Sequence, residues 1–115
     1  MKNVDDLKLV VLDSSLEFGQ KINTHLQKIR KTKENYVVGV NVTRFNNGEA
    51  KACIKESIRG KDIYIISDIG NYSCTYKMFD FINHYSPDDH YQDIKRTILS
   101  SMGHAKSIHL VMPFL

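Results

Sequence analysis

The residues best suited to chemistry lie between Thr43 and Asp62, where an aromatic side chain and several polar groups surround one predicted turn. Phe45, Asn47 and Glu49 all fall beside an Asn-Asn-Gly sequence. A flat aromatic face next to an amide and a carboxylate suits a purine ring with an exocyclic amine, because the ring can stack while the oxygen atoms accept hydrogen bonds. The plainer interpretation is an ordinary surface hairpin.

A second polar pair, Ser57 and Arg59, lies beside Gly60. A hydroxyl group and a planar, forked cation can together hold a phosphate. The plainer interpretation is a polar turn in which Glu56 and Arg59 form a surface ion pair worth under about 1 kcal/mol. Both interpretations stay open on the residue types alone.

Other common chemistries find little support in the sequence. Neither GxxxxGK[ST] nor GxGxxG is present, which excludes a P-loop and a dinucleotide-binding loop. The five histidines form no HExxH motif, and no His or Asp is tied by spacing to Cys53 or Cys74. We therefore predict no catalytic residue and no metal ligand in this chain, and we expect reduced, structural cysteines.

The composition indicates one globular domain. The chain has 115 residues, of which 42% are hydrophobic, and this is enough for a single core. The formal charge is only +3, so nucleic acid is not an expected partner. No leader is visible, and no apolar run approaches the roughly 20 residues of a membrane span. We expect a soluble, cytoplasmic protein without membrane contact.

The first predicted elements are a strand and a helix. Leu7 to Leu12 is a short apolar run, typical of a strand buried on both faces. Ser14 and Glu17 have the spacing of a capping box, which predicts a helix with Ser14 as its N-cap. The predicted apolar stripe of this helix is Phe18, Ile22, Leu26 and Ile29.

A hairpin and a central strand follow. Tyr36 to Thr43 and Ala50 to Lys55 alternate with a period of two on either side of Asn47-Gly48, which predicts two antiparallel strands and a tight turn. Ile63 to Ile66 is another short apolar run and predicts a buried strand.

The carboxy-terminal part contains a loop, a helix and a strand. Asn71 to Tyr85 is aromatic and irregular, and we predict a loop with one helical turn at Met78 to Ile82. Ser86-Pro87 predicts the start of a helix, and Gly103 predicts its end. Ser107 to Met112 predicts a last strand. The predicted apolar face of the helix is Tyr91, Ile94, Ile98 and Met102.

These elements predict an α/β fold. Short buried strands interleaved with helices favour three layers, with a mostly parallel sheet that includes one antiparallel hairpin. No linker or repeat divides the chain, so we predict a single domain over residues 1–115.

Two motifs carry a family resemblance. They read Arg44-Phe45-Asn46-Asn47-Gly48-Glu49 and Glu56-Ser57-Ile58-Arg59-Gly60-Lys61-Asp62-Ile63, and an alternating strand separates them. In this order they resemble Arg-Phe-Ser-Asp-Gly-Glu and Glu-Ser-Val-Arg-Gly-Lys-Asp-Val in the amino-terminal region of ribose-phosphate pyrophosphokinase, also called phosphoribosyl pyrophosphate synthetase. Ile108 to Phe114 is similar to the family's later strand, which ends in proline and an aromatic residue. The resemblance covers nearly the whole chain and implies a phosphoribosyltransferase-like fold.

The resemblance also implies an activity and a set of site residues. The parent protein would transfer diphosphate from ATP to the 1-hydroxyl of ribose 5-phosphate, with magnesium, to make phosphoribosyl pyrophosphate for nucleotide biosynthesis. It would be a homo-oligomer with shared nucleotide sites, in which Phe45 stacks on an adenine held by a neighbouring subunit. Asn47 and Glu49 would contact the polar edge of that adenine. Ser57 and Arg59 match residues of a regulatory nucleotide or phosphate pocket.

The resemblance further implies that this chain is the amino-terminal domain of a longer, two-domain synthetase-like protein. The family's metal-binding histidine, catalytic loop and phosphoribosyl-binding loop all belong to later sequence, so we expect residues 1–115 alone to be inactive. Asn47 stands where the family pattern has aspartate, and the segment Asn71 to Pro87 is about a dozen residues longer than in the family. These departures favour an alternative, a non-catalytic regulatory or assembly subunit that binds nucleotide or phosphate.

Overall fold

The computed structural model of the chain describes residues 6–45, 49–79, 81–101 and 103–113. A short 3-10 helix, Asp13–Ser15, precedes the first α-helix. In chain order the strands and α-helices are β1 (Leu7–Val11), α1 (Leu16–Arg30), β2 (Val37–Arg44), β3 (Ala50–Ile54), β4 (Asp62–Ile66), β5 (Thr75–Met78), β6 (Phe81–His84), α2 (Pro87–Ser101) and β7 (Ser107–Val111).

Five strands form the main sheet, in the order β3-β2-β1-β4-β7. β1 lies in the centre and runs parallel to both β2 and β4, β7 runs parallel to β4, and β3 is antiparallel to β2. Leu9, Val10 and Val11 are all buried, as predicted for a strand that is covered on both faces. The mostly parallel sheet with one antiparallel edge is therefore confirmed.

The two helices cover opposite faces of this sheet. Ile22 and Leu26 of α1 pack with the cluster that contains Val11, whereas Ile94 of α2 belongs to the cluster that contains Val10. The side chains of successive strand residues point to opposite faces, so those of Val10 and Val11 pack in different layers. The arrangement is the predicted three-layer α/β fold.

The predicted capping box of α1 is wrong. The helix begins at Leu16, and no side chain caps it through a hydrogen bond. The hydroxyl of Ser14 instead accepts a hydrogen bond from the backbone N–H of Asp68 at 2.9 Å. Glu17 pairs with Lys21 at 3.5 Å on the exposed side of the helix. The Ser14 hydroxyl therefore binds Asp68, which is distant in sequence, and not the end of the helix as local spacing predicted.

The buried face of α1 is also rotated from the predicted stripe. Phe18 and Ile29 are exposed, and Gly19 and Asn23 are buried in their place. The side-chain oxygen of Asn23 accepts a hydrogen bond from the backbone N–H of Tyr36 at 2.9 Å. Hydrophobic spacing does not detect this face because a glycine and a hydrogen-bonded amide form part of it.

The segment predicted as a loop with a helical turn is an antiparallel hairpin. β5 and β6 form a separate two-stranded sheet in which Thr75 pairs with His84 and Met78 pairs with Phe81. Phe79 lies at the turn with a φ of 51°. Turns of this kind usually carry Asn or Gly, so a turn that begins with Phe lacks the usual sequence signal.

The predicted boundaries of α2 are confirmed, but its predicted face is only partly correct. Ser86 and Asp89 form a reciprocal capping box, with hydrogen bonds of 2.9 and 3.1 Å. Gly103 has a φ of 81°, as expected after a helix end. Ile94 is buried but Tyr91 is exposed, and Met102 lies outside the described residues. The rest of the buried face is polar and consists of His90, Asp93, Thr97 and Ser101.

Candidate functional site

The β2–β3 hairpin predicted around the Asn-Gly turn is present. Its register pairs Arg44 with Ala50. The backbone N–H of Phe45 then donates to the carbonyl oxygen of Glu49 at 2.7 Å. Phe45 is 48% exposed and Glu49 is also exposed, so both are accessible beside the turn. Asn47 lies outside the described residues.

Ser57 and Arg59 lie together at a second location. Both are exposed and line a shallow cavity of about 230 Å³. Ser100 of α2 and His104, just beyond that helix, line the same cavity. The structure therefore brings the two predicted residues together and adds a hydroxyl and an imidazole that sequence reasoning missed. No local signal could have linked residues so far apart in the chain.

The turn that carries Ser57 and Arg59 is fixed from both sides. Ile58, between them, is buried in the core. Gly60 has a φ of 72°, and its backbone N–H donates to the carbonyl oxygen of His104 at 2.9 Å. Few residues other than glycine adopt such a φ without strain. Backbone packing thus holds the two polar side chains at the surface.

The chemistry of this cavity suits an anion. The guanidinium of Arg59 offers several donors in one plane, and the hydroxyls of Ser57 and Ser100 offer more. Its volume of about 230 Å³ falls below the roughly 300–1,000 Å³ of pockets that enclose a whole small molecule. A phosphate group fits such a space better than a complete nucleotide does.

The two predicted sets of site residues do not form one site within a single chain. Phe45 and Glu49 lie before β3, and Ser57 and Arg59 lie after it. A five-residue strand such as β3 is about 17 Å long. The hairpin tip and the phosphate-sized cavity are therefore separate surfaces at opposite ends of one strand.

A buried charged cluster lies at the base of the hairpin. The side chain of Arg44 is 7% exposed and that of Asp93, on α2, is 5% exposed. Nη2 of Arg44 lies 3.2 Å from Oδ2 of Asp93, and Nη1 of Arg96 lies 2.7 Å from Oδ1 of the same carboxylate. In the sequence, Arg44 stands out only as part of a motif, and no local pattern indicates that it pairs with Asp93.

The pKa of Arg44 is raised despite its burial. Burial by itself lowers the pKa because it disfavours the charged form. The hydrogen bond with Tyr85 and the charge of Asp93 more than offset that effect. The pKa of Tyr85 is raised too, first by its own burial, although Arg44 acts against that rise. Arg44 is thus held as a cation inside the protein.

A larger cavity lies elsewhere, at the carboxyl ends of the central strands. It has a volume of about 540 Å³, and Asp13, Asp68, Asn71 and Phe18 are among the residues that line it. The chain leaves β1 and β4 in opposite directions, toward β2 and β7 respectively. Open α/β sheets commonly bind ligands at such a point. The polar residues that directly follow two buried strands were a sequence signal for this cavity.

Ser14 joins the two strand ends at this cavity. Its hydroxyl lies 3.0 Å from the hydroxyl of Ser67, and its carbonyl oxygen accepts a hydrogen bond from the side chain of Asn71 at 2.9 Å. Ser14 and Ser67 are both buried. These contacts fix the wall of the cavity but bring neither of the predicted sites to it.

The described ranges contain neither a metal cluster nor a helix that could span a membrane. Within them, no group of three or more His, Cys, Asp or Glu side chains is placed to hold a metal ion. Neither described helix is long and apolar enough to cross a bilayer.

Comparison with known families shows a match over nearly the whole chain. The family described as the N-terminal domain of ribose phosphate pyrophosphokinase matches residues 7–115. A comparison with curated proteins found no match. The family match spans both motifs, the β5–β6 segment and the last strand.

Proposed function

The chain belongs to the family of N-terminal domains of ribose phosphate pyrophosphokinases, and from this premise we propose that it is the amino-terminal domain of a longer, two-domain ribose-phosphate diphosphokinase. The whole protein would transfer diphosphate from ATP to ribose 5-phosphate and so make phosphoribosyl pyrophosphate for nucleotide biosynthesis. We propose a cytoplasmic homo-oligomer with shared nucleotide sites.

The observation that best supports this proposal is the exposed Phe45 on a closed hairpin. The hydrogen bond from Phe45 to Glu49 holds the two sides of the hairpin together. Phe45 is half exposed although it is aromatic, and an aromatic ring in that position is available for stacking on a base. In the proposed assembly the ring stacks on the adenine of ATP in a neighbouring subunit, and Asn47 and Glu49 contact the polar edge of that adenine.

The cavity at Ser57 and Arg59 is proposed as the regulatory site. Its size fits a phosphate group, and Arg59 supplies the positive charge that such a group requires. The two sites lie at opposite ends of β3. A phosphate bound at the cavity would therefore act on the activity of the assembly without competing for the hairpin.

Magnesium is proposed as a cofactor of the whole protein only. The described residues do not form a cluster that could hold a metal ion by themselves. Residues 1–115 alone are expected to be inactive, since family resemblance assigns the remaining catalytic parts to later sequence.

The decisive experiment uses the full-length protein that contains this domain. Formation of phosphoribosyl pyrophosphate from ATP and ribose 5-phosphate can be followed by ³¹P NMR. Phe45→Ala is expected to raise the KM for ATP by roughly 5- to 150-fold, the equivalent of about 1–3 kcal/mol of base stacking. Leu99→Ala, which removes another exposed apolar side chain, serves as the control and should leave the KM unchanged.

Arg59→Gln tests the second site in the same protein. We expect it to weaken the response of the enzyme to inorganic phosphate and to leave the KM for ATP unchanged. If the full-length protein binds ATP but forms no product, the alternative of a non-catalytic regulatory or assembly subunit is correct. If Phe45→Ala behaves like the control, the hairpin does not recognise the nucleotide.

A further inference from the structure

Arg44 comes directly before Phe45, the hairpin residue that is proposed to stack on adenine. Arg44 is the last residue of β2, and Phe45 follows it. Its guanidinium turns away from solvent and reaches Asp93 on α2 at 3.2 Å. Asp93 is in turn held by Arg96 at 2.7 Å. One carboxylate therefore links the end of the hairpin strand to the middle of a helix.

Two tyrosines from the segment between β4 and α2 enclose the same guanidinium. Its central carbon lies 4.6 Å from the ring centre of Tyr76 and 5.0 Å from that of Tyr85. The two rings are arranged edge to face, and their centres lie 5.4 Å apart. A planar cation between two aromatic rings has little freedom to rotate, because each rotation gives up a cation–π contact.

Tyr85 is itself fixed to the body of the domain. The backbone N–H of Tyr85 donates to the carbonyl oxygen of Cys74 at 2.8 Å. The ring centre of Tyr85 lies 4.8 Å from the ring centre of His90. Nε2 of His90 lies 2.6 Å from the carbonyl oxygen of Asn71. The β5–β6 segment, α2 and the base of the hairpin thus form one connected unit.

We propose that Asp93 is a positioning residue, which acts through Arg44 together with Tyr76 and Tyr85 to set the orientation of the β2–β3 hairpin and so of Phe45. This inference rests on the proposed role of that hairpin in reading a nucleotide. It assigns a role to the segment between β4 and α2: Tyr76 and Tyr85 of this segment supply the aromatic side of the clamp on Arg44.

Stability alone is a weaker explanation of the cluster. A buried ion pair often adds little to stability compared with apolar residues of the same volume, because both charges must leave water. A forked guanidinium bound to a carboxylate does, however, restrict direction as well as distance. Such a restriction is useful where the next residue must point to a fixed place.

The experiment compares Asp93→Asn with Asp88→Asn in the full-length protein. Both changes remove one carboxylate from α2, but Asp93 is buried whereas Asp88 is exposed. Hydrogen exchange measured by mass spectrometry reports on the hairpin directly, since the Phe45 amide is hydrogen-bonded to Glu49. Steady-state kinetics give separate KM values for ATP and for ribose 5-phosphate.

Asp93→Asn is expected to speed exchange in the hairpin by at least about tenfold more than it speeds exchange in β1. The KM for ATP should rise by about tenfold or more, and the KM for ribose 5-phosphate should not change. Asp93→Glu, which keeps the charge, should have a hairpin exchange rate and a KM for ATP between those of Asp93→Asn and the unchanged protein. If Asp93→Asn fails to fold, Tyr85→Phe tests the same clamp on Arg44 from its aromatic side, since it keeps the ring and removes the hydrogen bond to Arg44; the same selective increase of hairpin exchange is expected.

Two results would overturn the inference. One is hairpin exchange no faster than in Asp88→Asn, and the other is faster exchange spread evenly over all strands, which would indicate a structural role only. Failure of the proposed function looks different: Phe45→Ala would then leave ATP binding intact, while the exchange data would still show Asp93 holding the hairpin.

Discussion

The guanidinium of Arg44 lies 3.2 Å from the carboxylate of Asp93, although the two residues are 49 positions apart along the chain. This pair joins the end of β2 to α2 in a region from which water is largely excluded. The side chains around it are proposed to hold a hairpin whose tip recognises nucleotide. The pair also leads to a prediction about stability.

Asp93→Ala should lower the free energy of unfolding by about 3–5 kcal/mol, because it leaves Arg44 as a buried charge without its carboxylate. Urea denaturation followed by circular dichroism measures this change. The control is Glu17→Ala, which breaks the exposed pair with Lys21 and should cost at most about 0.5 kcal/mol. Equal losses in the two variants would mean that the buried cluster contributes no more than a surface pair.

Gly19→Ala should destabilise the domain, even though alanine favours helices more than glycine does. A Cβ atom at Gly19 would lie 2.6 Å from Cγ2 and 2.7 Å from Cγ1 of Val11. Valine is stiff and cannot easily move aside, so we expect a loss of about 1–3 kcal/mol. Thermal or urea unfolding measures it.

The double variant Val11→Ala/Gly19→Ala tests the cause of that loss. Truncation of Val11 removes the atoms that an alanine at Gly19 would meet. The loss of unfolding free energy in the double variant should therefore be smaller than the sum of the losses in the two single variants, by at least about 0.5 kcal/mol. Strictly additive losses would rule out the close approach of α1 to β1 as the reason for the glycine.

Ser86→Ala should cost about 1 kcal/mol, since the Ser86 hydroxyl accepts the N–H of Asp89 at the start of α2. Ser86→Asp is the matched variant, because its carboxylate can accept the same hydrogen bond and also favours the positive end of the helix dipole. The unfolding free energy of Ser86→Asp should therefore be clearly higher than that of Ser86→Ala. A loss of equal size in both would show that the hydroxyl does not act as a cap.

Cys74 should be alkylated slowly at neutral pH, because the reactive form is the thiolate. Its pKa is raised by burial first and then by the nearby charges of Asp13 and Asp68. Rates of reaction with iodoacetamide, measured against pH in a Cys53→Ser background, should reach their midpoint above the ordinary value of a free thiol. Asp13→Asn should move that midpoint down.

The raised pKa of Cys74 also sets the sign of its effect on stability. The fold favours the neutral thiol, so this contribution to the free energy of unfolding is complete below the pKa of the unfolded thiol and is lost as pH rises through the folded value. Replacement by Ser should remove this loss at alkaline pH. An alkylation midpoint at or below the ordinary value would contradict the assignment.

Local patterns predicted much of the architecture correctly. The apolar run of β1, the alternation on both sides of the Asn-Gly turn and the Ser86 cap each depend on residues a few positions apart. Such patterns are reliable here because backbone geometry repeats within that distance. The same reasoning failed for β5 and β6, where the turn begins at Phe79 in a conformation usually given to other residues.

The sequence by itself determined the order of the main-sheet strands and the two helices, the hairpin with its exposed Phe45, and the motifs that place the chain in its family. Only the tertiary structure decided which polar groups are buried and with which partners. Ser14 bonds to Asp68 and not to its own helix, and Arg44 finds Asp93 on α2. The physical reason is that a buried polar group must be satisfied by whatever lies next to it in space, and in this fold those neighbours come from distant parts of the chain.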